Sequence, residues 1–246
     1  MKLESDEGGL TEWGWLDFGF QNYYLLLNCG FRLRPTAGTA SGVHPVPLGF
    51  SRVYVQVGDR FDADGWIEGL RRGRSFVTTG PMLFATLDEQ HPGHEFDQAG
   101  SGEKSYRLHV ESISSRPIDR VEVIVNGDII ETLRPRVDEG VRPTPNGPYE
   151  LTRDVAISIK ESSWIVVRSF QYEADGRLRF AHTAPWHLKV SGRPVRPRKT
   201  EVEFLIRRVR DEIARNENVL SEAAMEEFRK ALGIYEQLLT LAGSDN

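Results

Sequence analysis

Six histidines, His44, His91, His94, His109, His182 and His187, and the single cysteine, Cys29, are the first candidates for metal binding or nucleophilic chemistry. A hydrolytic metal centre needs several histidine and carboxylate ligands converging, with one position left open for water. His91 and His94 sit beside Glu95 in "QHPGHEF". On a helix that spacing binds zinc, but Pro92 and Gly93 between the histidines dictate an exposed hairpin turn. His109 lies inside the alternating run "KSYRLHVESIS" and reads as a half-buried strand residue. His182, in "FAHTAP", falls at a strand end, where a side chain is presented to a ligand; the plainer reading is an edge histidine bonded to backbone. His182 is the candidate binding residue. His187 follows Trp186 in the next run and carries no pattern. His44 stands in "PTAGTASGVHPVPLGFSRVYV", between a small-residue turn and a strand, and is the candidate metal ligand. No acidic residue lies from Pro35 through Gly58 to join it. One cysteine excludes an internal disulfide and a cysteine-rich zinc cluster, and Cys29 reads as a small buried residue. There is no P-loop, G-x-G-x-x-G, H-E-x-x-H or G-x-S-x-G sequence.

The elements that would position these residues fall into three stretches. In the first, "QNYYLLLN" (21–28) is a buried helix or a buried strand, which periodicity does not separate. "GFRLRP" predicts a short strand ending at Pro35, and "SRVYVQV" another. In "DADGWIEGLRRG", Asp62 is a helix cap, Trp66, Ile67 and Leu70 share a face, and Gly73 fits the left-handed C-terminal position. "SFVTTGPMLFATL" reads as strand, break, strand. The middle stretch predicts only strands: "KSYRLHVESIS", "DRVEVIVNGDIIETL", "YELTRDVAISI", "SWIVVRSFQY" and "LRFAHTAPWHLKV". Asn126-Gly127, flanked by alternating residues, predicts a tight type I′ hairpin. "RPRVDEGVRPTPNGP" reads as a loop, and "SGRPVRPRK" as a solvated basic linker. The last stretch predicts two antiparallel helices. One carries the stripe Val202, Leu205, Ile206, Val209 and Ile213; the other is capped by Ser221 and carries Phe228, Leu232, Tyr235, Leu239 and Ala242. Asp59, Asp62 and Asp64 are accounted for by capping and solvation.

The totals narrow the function classes. The 246 residues are 39% hydrophobic and 27% charged, with a formal net charge of −5. That composition builds a globular core. The acidic balance argues against a nucleic-acid partner. No apolar run reaches the roughly 20 residues needed to cross a bilayer. "MKLESDEGG" lacks the apolar core of a signal peptide, which makes the cytoplasm the default expectation.

Two segments, "YYLLLNCGFRLRPTAGTASGVHPVPLGFSRVYV" and "GLRRGRSFVTTGPMLF", resemble the carboxy-terminal part of carbaryl-hydrolase-like metallohydrolases of the polymerase-and-histidinol-phosphatase (PHP) superfamily. "PIDRVEVIVNGDII" and "RFAHTAP" are similar to the small β-sandwich that follows the barrel in that branch. The resemblance spans about Tyr23 to Pro185. It implies a distorted barrel with up to three divalent metals, whose ligands begin with a His-x-His pair on early strands. This sequence has no His-x-His and lacks most of that barrel. The family's last motif is a Gly-Ser/Thr-Asp-x-His turn. Here Gly38-Thr39-Ala40-Ser41-Gly42-Val43-His44 places alanine where the aspartate belongs and displaces the histidine.

The expected fold class is therefore α+β. Residues 1–87 form a partial PHP-like α/β barrel segment, 88–192 an antiparallel immunoglobulin-like β-sandwich and 199–243 a helical hairpin. The expected function is that of a truncated PHP-like metallohydrolase homologue, non-catalytic as this chain, acting as a binding or assembly module without a cofactor. The alternative is a metal-dependent hydrolase of phosphoesters, carbamates or esters, holding Zn or Mn through His44 with ligands from an upstream segment or another chain. An incomplete barrel leaves sheet edges unpaired, so self-association or a protein partner is expected there, with no nucleic acid and no membrane.

Overall fold

A computed structural model describes residues 11–40, 42–43, 46–98, 102–135 and 147–243. The fold is mixed α+β, with four helices and two sheets among the described residues. The chain divides into two compact units, residues 1–32 with 195–246, and residues 33–194.

The first unit is helical. Helix α1 (Glu12–Asn28) begins where the Thr11 hydroxyl accepts a hydrogen bond from the Gly14 amide at 2.9 Å. The helical choice for "QNYYLLLN" is thus settled, and the helix starts nine residues earlier than that run. Helices α3 (Lys199–Asn216) and α4 (Glu222–Leu241) run antiparallel: Arg198, before α3, bridges Gly243, after α4. The Ser221 hydroxyl caps α4 by accepting from the Ala224 amide. Val202 and Ile206 of α3 pack with Cys29, and Leu232, Tyr235 and Leu239 of α4 lie against them. The Asn28 amide donates to Glu201 Oε1 at 2.9 Å. No helix among the described residues is long and apolar enough to cross a membrane.

The second unit is built on strands. The larger sheet is centred on β9 (Ser163–Tyr172), every position of which is buried from Ser163 to Gln171. One edge of β9 pairs with β6 (Ile118–Val125), which pairs in turn with β7 (Asp128–Leu133). The other edge pairs with β10 (Leu178–Thr183) and then β11 (Trp186–Val190), separated by Ala184-Pro185. Beyond β10 lie β2 (Ser75–Thr78) and the edge strand β1 (Arg52–Val55). Beyond β11 lies β4 (Glu95–Gln98), whose pairing is parallel. The smaller sheet is antiparallel, ordered β3 (Met82–Leu87), β5 (Lys104–Ser114) and β8 (Tyr149–Ile159). Among the described residues neither sheet closes into a barrel.

The two sheets share one core. Leu83, Leu87, Leu108 and Val110 of the smaller sheet meet Val121, Val123, Ile165, Val167 and Trp186 of the larger. The Ser112 and Ser169 hydroxyls meet at 2.7 Å across it, and Ser114 donates to Gln171 Oε1. Hydroxyls buried in such a core must be paired, because an unmade hydrogen bond there costs more than a made one contributes.

Two local expectations are corrected. Phe31–Arg34 is not a strand, since no residue between Phe31 and Ala40 joins a sheet. The turn around Pro92-Gly93 is present, but it does not close a hairpin: it leads from β3 of one sheet into β4 of the other. The loop expected after β7 lies, over 136–146, outside the described residues.

The Asn126-Gly127 turn is of the expected kind. Both residues have positive φ, 51° and 92°, and Val125 pairs directly with Asp128. The Asn126 side chain locks the turn to β9, accepting from the Trp164 amide at 3.0 Å. Gly127→Val is expected to destabilise by at least about 1 kcal/mol, because a β-branched residue resists positive φ. An unchanged urea midpoint would contradict this.

Candidate functional site

The structure separates the residues singled out in the sequence. Cys29 is 9% exposed, and its thiol is pushed up to about 12 by burial, with the charge of Glu201 adding to the effect. A thiol held protonated is a poor nucleophile. His109 is paired at 3.0 Å with Asp154 directly across from it on β8, at the surface. His91 and His94 are exposed; His94 stands edge-on to Phe96 at 4.5 Å, and Glu95 is in an ion pair with Lys189. His44 lies outside the described residues. Among those described, no three His, Cys, Asp or Glu side chains gather into a ligand set, so the divalent metal that the family resemblance implies finds no fitting cradle there.

His182 is not at an edge. Strand β10 lies between β2 and β9, and His182 is 2% exposed. Nδ1 lies 2.7 Å from the Thr183 carbonyl oxygen, which only accepts, so Nδ1 carries the proton. Burial lowers the ring's pKa to about 3; the Thr183 hydrogen bond opposes this, and the charge of Arg168 adds to it. The group is neutral in the folded protein and has its ordinary value near 6.5 once unfolded. Between those values the unfolded state binds the extra proton, so stability falls as pH drops below about 6.5 and levels off near 3. Going from pH 7 to pH 5, this one group is expected to remove about 2 kcal/mol. Urea unfolding of the protein and of His182→Asn at both pH values checks it: that component of the pH dependence should vanish in the variant.

Two adjoining clefts open in the second unit. Both are built around the end of helix α2 (Ala63–Arg72). The Asp62 carboxylate caps its start, accepting from the Gly65 amide at 2.7 Å. At its end Gly73 takes φ +75°, and the Gly73 and Arg74 amides return to the Leu70 and Gly69 carbonyls at 3.0 and 2.9 Å. This double closure is the Schellman arrangement. It fixes where the chain leaves the helix, and so where Arg74 stands at the head of β2. The Gln56 amide donates to the Arg74 carbonyl at 2.7 Å, tying the end of β1 to the same point.

The facing wall is the segment between β3 and β4. Asp88 and Glu89 both have positive φ, and Leu87 and Gln90 exchange backbone hydrogen bonds at 2.9 Å. The Trp186 indole donates to the Gln90 carbonyl and the Gly93 amide to the Pro185 carbonyl. Gly93 sits directly on the end of α2: a Cβ there would lie 1.9 Å from the Arg72 carbonyl oxygen.

One cleft, of about 340 Å³, is polar, with Arg34, Arg72, Arg74, His91, His94 and Glu95 on its walls. The other, of about 180 Å³, is apolar and carries Tyr54, Phe76 and Phe84. Arg74, His91 and Pro92 line both. The rings form a ladder, Tyr54 stacked on Phe76 at 5.2 Å and Phe76 edge-on to Phe84 at 5.7 Å. Arg72 is engaged by Glu68 at 2.6 Å, and this hydrogen bond holds the Glu68 carboxyl below its usual value. Arg74 adds to that field but is in no ion pair among the described residues. The basic run at 193–199, read from the sequence as a solvated linker, is not on these walls. The usable signal was Arg71-Arg72-Gly73-Arg74, cations set on both sides of a helix-ending glycine.

Compared with protein-family models, with curated proteins and with solved structures, the chain matches none.

Proposed function

We propose that this chain is a PHP-like metallohydrolase homologue that acts as a binding and assembly module and not as a hydrolase. In this reading residues 1–87 descend from the barrel and 88–192 are its immunoglobulin-like sandwich. The observation that carries the reading is the chemistry of the open clefts: their walls hold arginines, histidines and aromatic rings, and Glu95 is neutralised by Lys189. Such walls hold an anion and an apolar group. They offer no unpaired carboxylate to act as a general base. The two side chains best suited to chemistry elsewhere, Cys29 and His182, are buried and held in their neutral forms. Assembly would use β1, which pairs only with β2 among the described residues and leaves its other edge open.

Metal analysis of protein purified without chelator, paired with phosphoester and carbamate-ester assays in added Mn²⁺, tests the reading. The expected result is substoichiometric Zn and Mn and no turnover above background. Stoichiometric metal that is lost on His44→Ala, together with turnover, would overturn it.

A further inference from the structure

We propose that the two adjoining clefts are one binding site, and that its ligand is a small molecule with an anionic head on a flat apolar body: an aryl carboxylate or an aryl phosphate. This rests on the reading of the chain as a binding module and adds the chemistry of what it binds.

Three observations carry it. The first is the continuity of the clefts through Arg74, His91 and Pro92, which line both. A ligand that used one cleft alone would leave the other wall of Arg74 unused. The polar cleft, about 340 Å³, is already within the range of small-molecule sites, about 300–1,000 Å³.

The second is the charge. Arg34, Arg72 and Arg74 converge on the polar cleft. Arg34 lies over the helix end, its Cγ 3.2 Å from where a Gly73 Cβ would be. The planar guanidinium fork matches the paired oxygens of a carboxylate or phosphate. Glu95 would repel an anion, but it is engaged by Lys189. Arg72 is shared with Glu68, which leaves Arg74 as the principal cation for a ligand.

The third is the aromatic ladder. Tyr54 is 37% and Phe84 44% exposed, although both pack on the buried Phe76. Part of each ring remains in water, and the Arg52 guanidinium lies over the Tyr54 ring at 5.9 Å. A flat apolar group laid against their exposed parts would bury more of their area. The cation at one end and the rings at the other set the ligand's polarity.

The test is calorimetric titration of the full chain with phenyl phosphate, benzoate, inorganic phosphate and phenol. Both aryl anions should bind about tenfold or more tighter than inorganic phosphate and phenol, each of which satisfies only one cleft. Arg74→Gln should weaken both aryl anions by about tenfold or more, since it removes a charge-assisted hydrogen bond. Phe84→Ala should weaken the aryl anions and leave inorganic phosphate unchanged. Arg74 is exposed at the head of β2, so its variant should keep the urea midpoint. A preference for benzoate or for phenyl phosphate supports the proposal in either case and assigns the head group. Equal affinity for inorganic and phenyl phosphate, no binding of either aryl anion, or indifference to Arg74→Gln would overturn it. Phosphate released from bound phenyl phosphate on adding Mn²⁺ would instead overturn the non-catalytic function and leave the ligand class standing.

Discussion

Glu122→Leu is expected to destabilise the protein by about 3–5 kcal/mol. Glu122 is the anionic centre of a buried network. Its two carboxylate oxygens accept separately, Oε1 from Arg120 Nε and Oε2 from Arg168 Nε, each at 2.6 Å. The Glu122 and Arg168 side chains are only 6% and 5% exposed. Arg120 also donates to Asp119 at 2.5 Å and lies over the Phe170 ring at 4.3 Å. Burial alone would lower the Arg120 pKa, but the hydrogen bonds to Glu122 and Asp119 outweigh it and the guanidinium is held more firmly charged. Removing the carboxylate takes one charge-assisted hydrogen bond from each guanidinium, at side chains only 5% (Arg168) and 12% (Arg120) exposed, and the cost of that loss in a desolvated place is what the measurement reads. Urea unfolding at pH 7 with an unchanged m-value is the check. Replacing Arg120 and Arg168 by methionine in the same variant should recover much of the loss, because a well-packed apolar trio is often as stable as a buried ion network. A loss below about 1 kcal/mol in the single variant would mean that water enters the network.

Gly93→Ala should cost about 2–5 kcal/mol, from two separable sources. At φ +83° any L-residue is strained, by about 1–2 kcal/mol. The new methyl would also stand 1.9 Å from the Arg72 carbonyl oxygen and 2.8 Å from the Gly73 carbonyl carbon, both rigid backbone atoms. The turn or the helix end must then move, a further cost of about 1–3 kcal/mol. Gly176→Ala supplies the comparison. Its φ is +82°, but nothing lies within 4 Å of the added carbon, so it should show the backbone strain alone. Urea midpoints of the two variants give the contact term as their difference. Equal losses would show that the turn at Pro92-Gly93 yields freely.

Local signals carried the sequence reading a long way in the strand-rich stretch. "YELTRDVAISI" and "SWIVVRSFQY" coincide with β8 and β9 residue for residue, because each is a β-branched, aromatic-rich run bounded by turn residues. Asp62, Gly73 and Ser221 end or begin helices as expected, since capping needs only residues within a few positions. The first half of α1 was illegible: Trp13, Trp15, Phe18 and Phe20 with two glycines show no polar face, so no period. Strand β4 was missed because four residues at the foot of a turn carry little pattern and its partner β11 lies some 90 positions away. The same holds for Thr78 opposite Ala181, the contact that puts β2 beside β10. The cleft depended on such distant pairings. Arg72 and Arg74 come from the end of one helix, Arg34 from the extended segment after α1, and the far wall from a crossover between two sheets.

The pairing of α1 with α3 and α4 has a consequence for the order in which the molecule is made. Asn28 and Glu201 are hydrogen-bonded across 173 positions of chain, and Cys29 is covered by Val202 and Ile206. On a ribosome, α1 emerges before the strand-rich unit and its partners after it. The strand-rich unit between them can fold while α1 still waits with its apolar side in water. Closing so long a loop adds little to the final entropy cost, because that cost grows only with the logarithm of length, about 0.6 kcal/mol per doubling. The burden falls on time. A nascent chain halted before residue 201 would carry a bare thiol at Cys29, which the finished protein keeps covered.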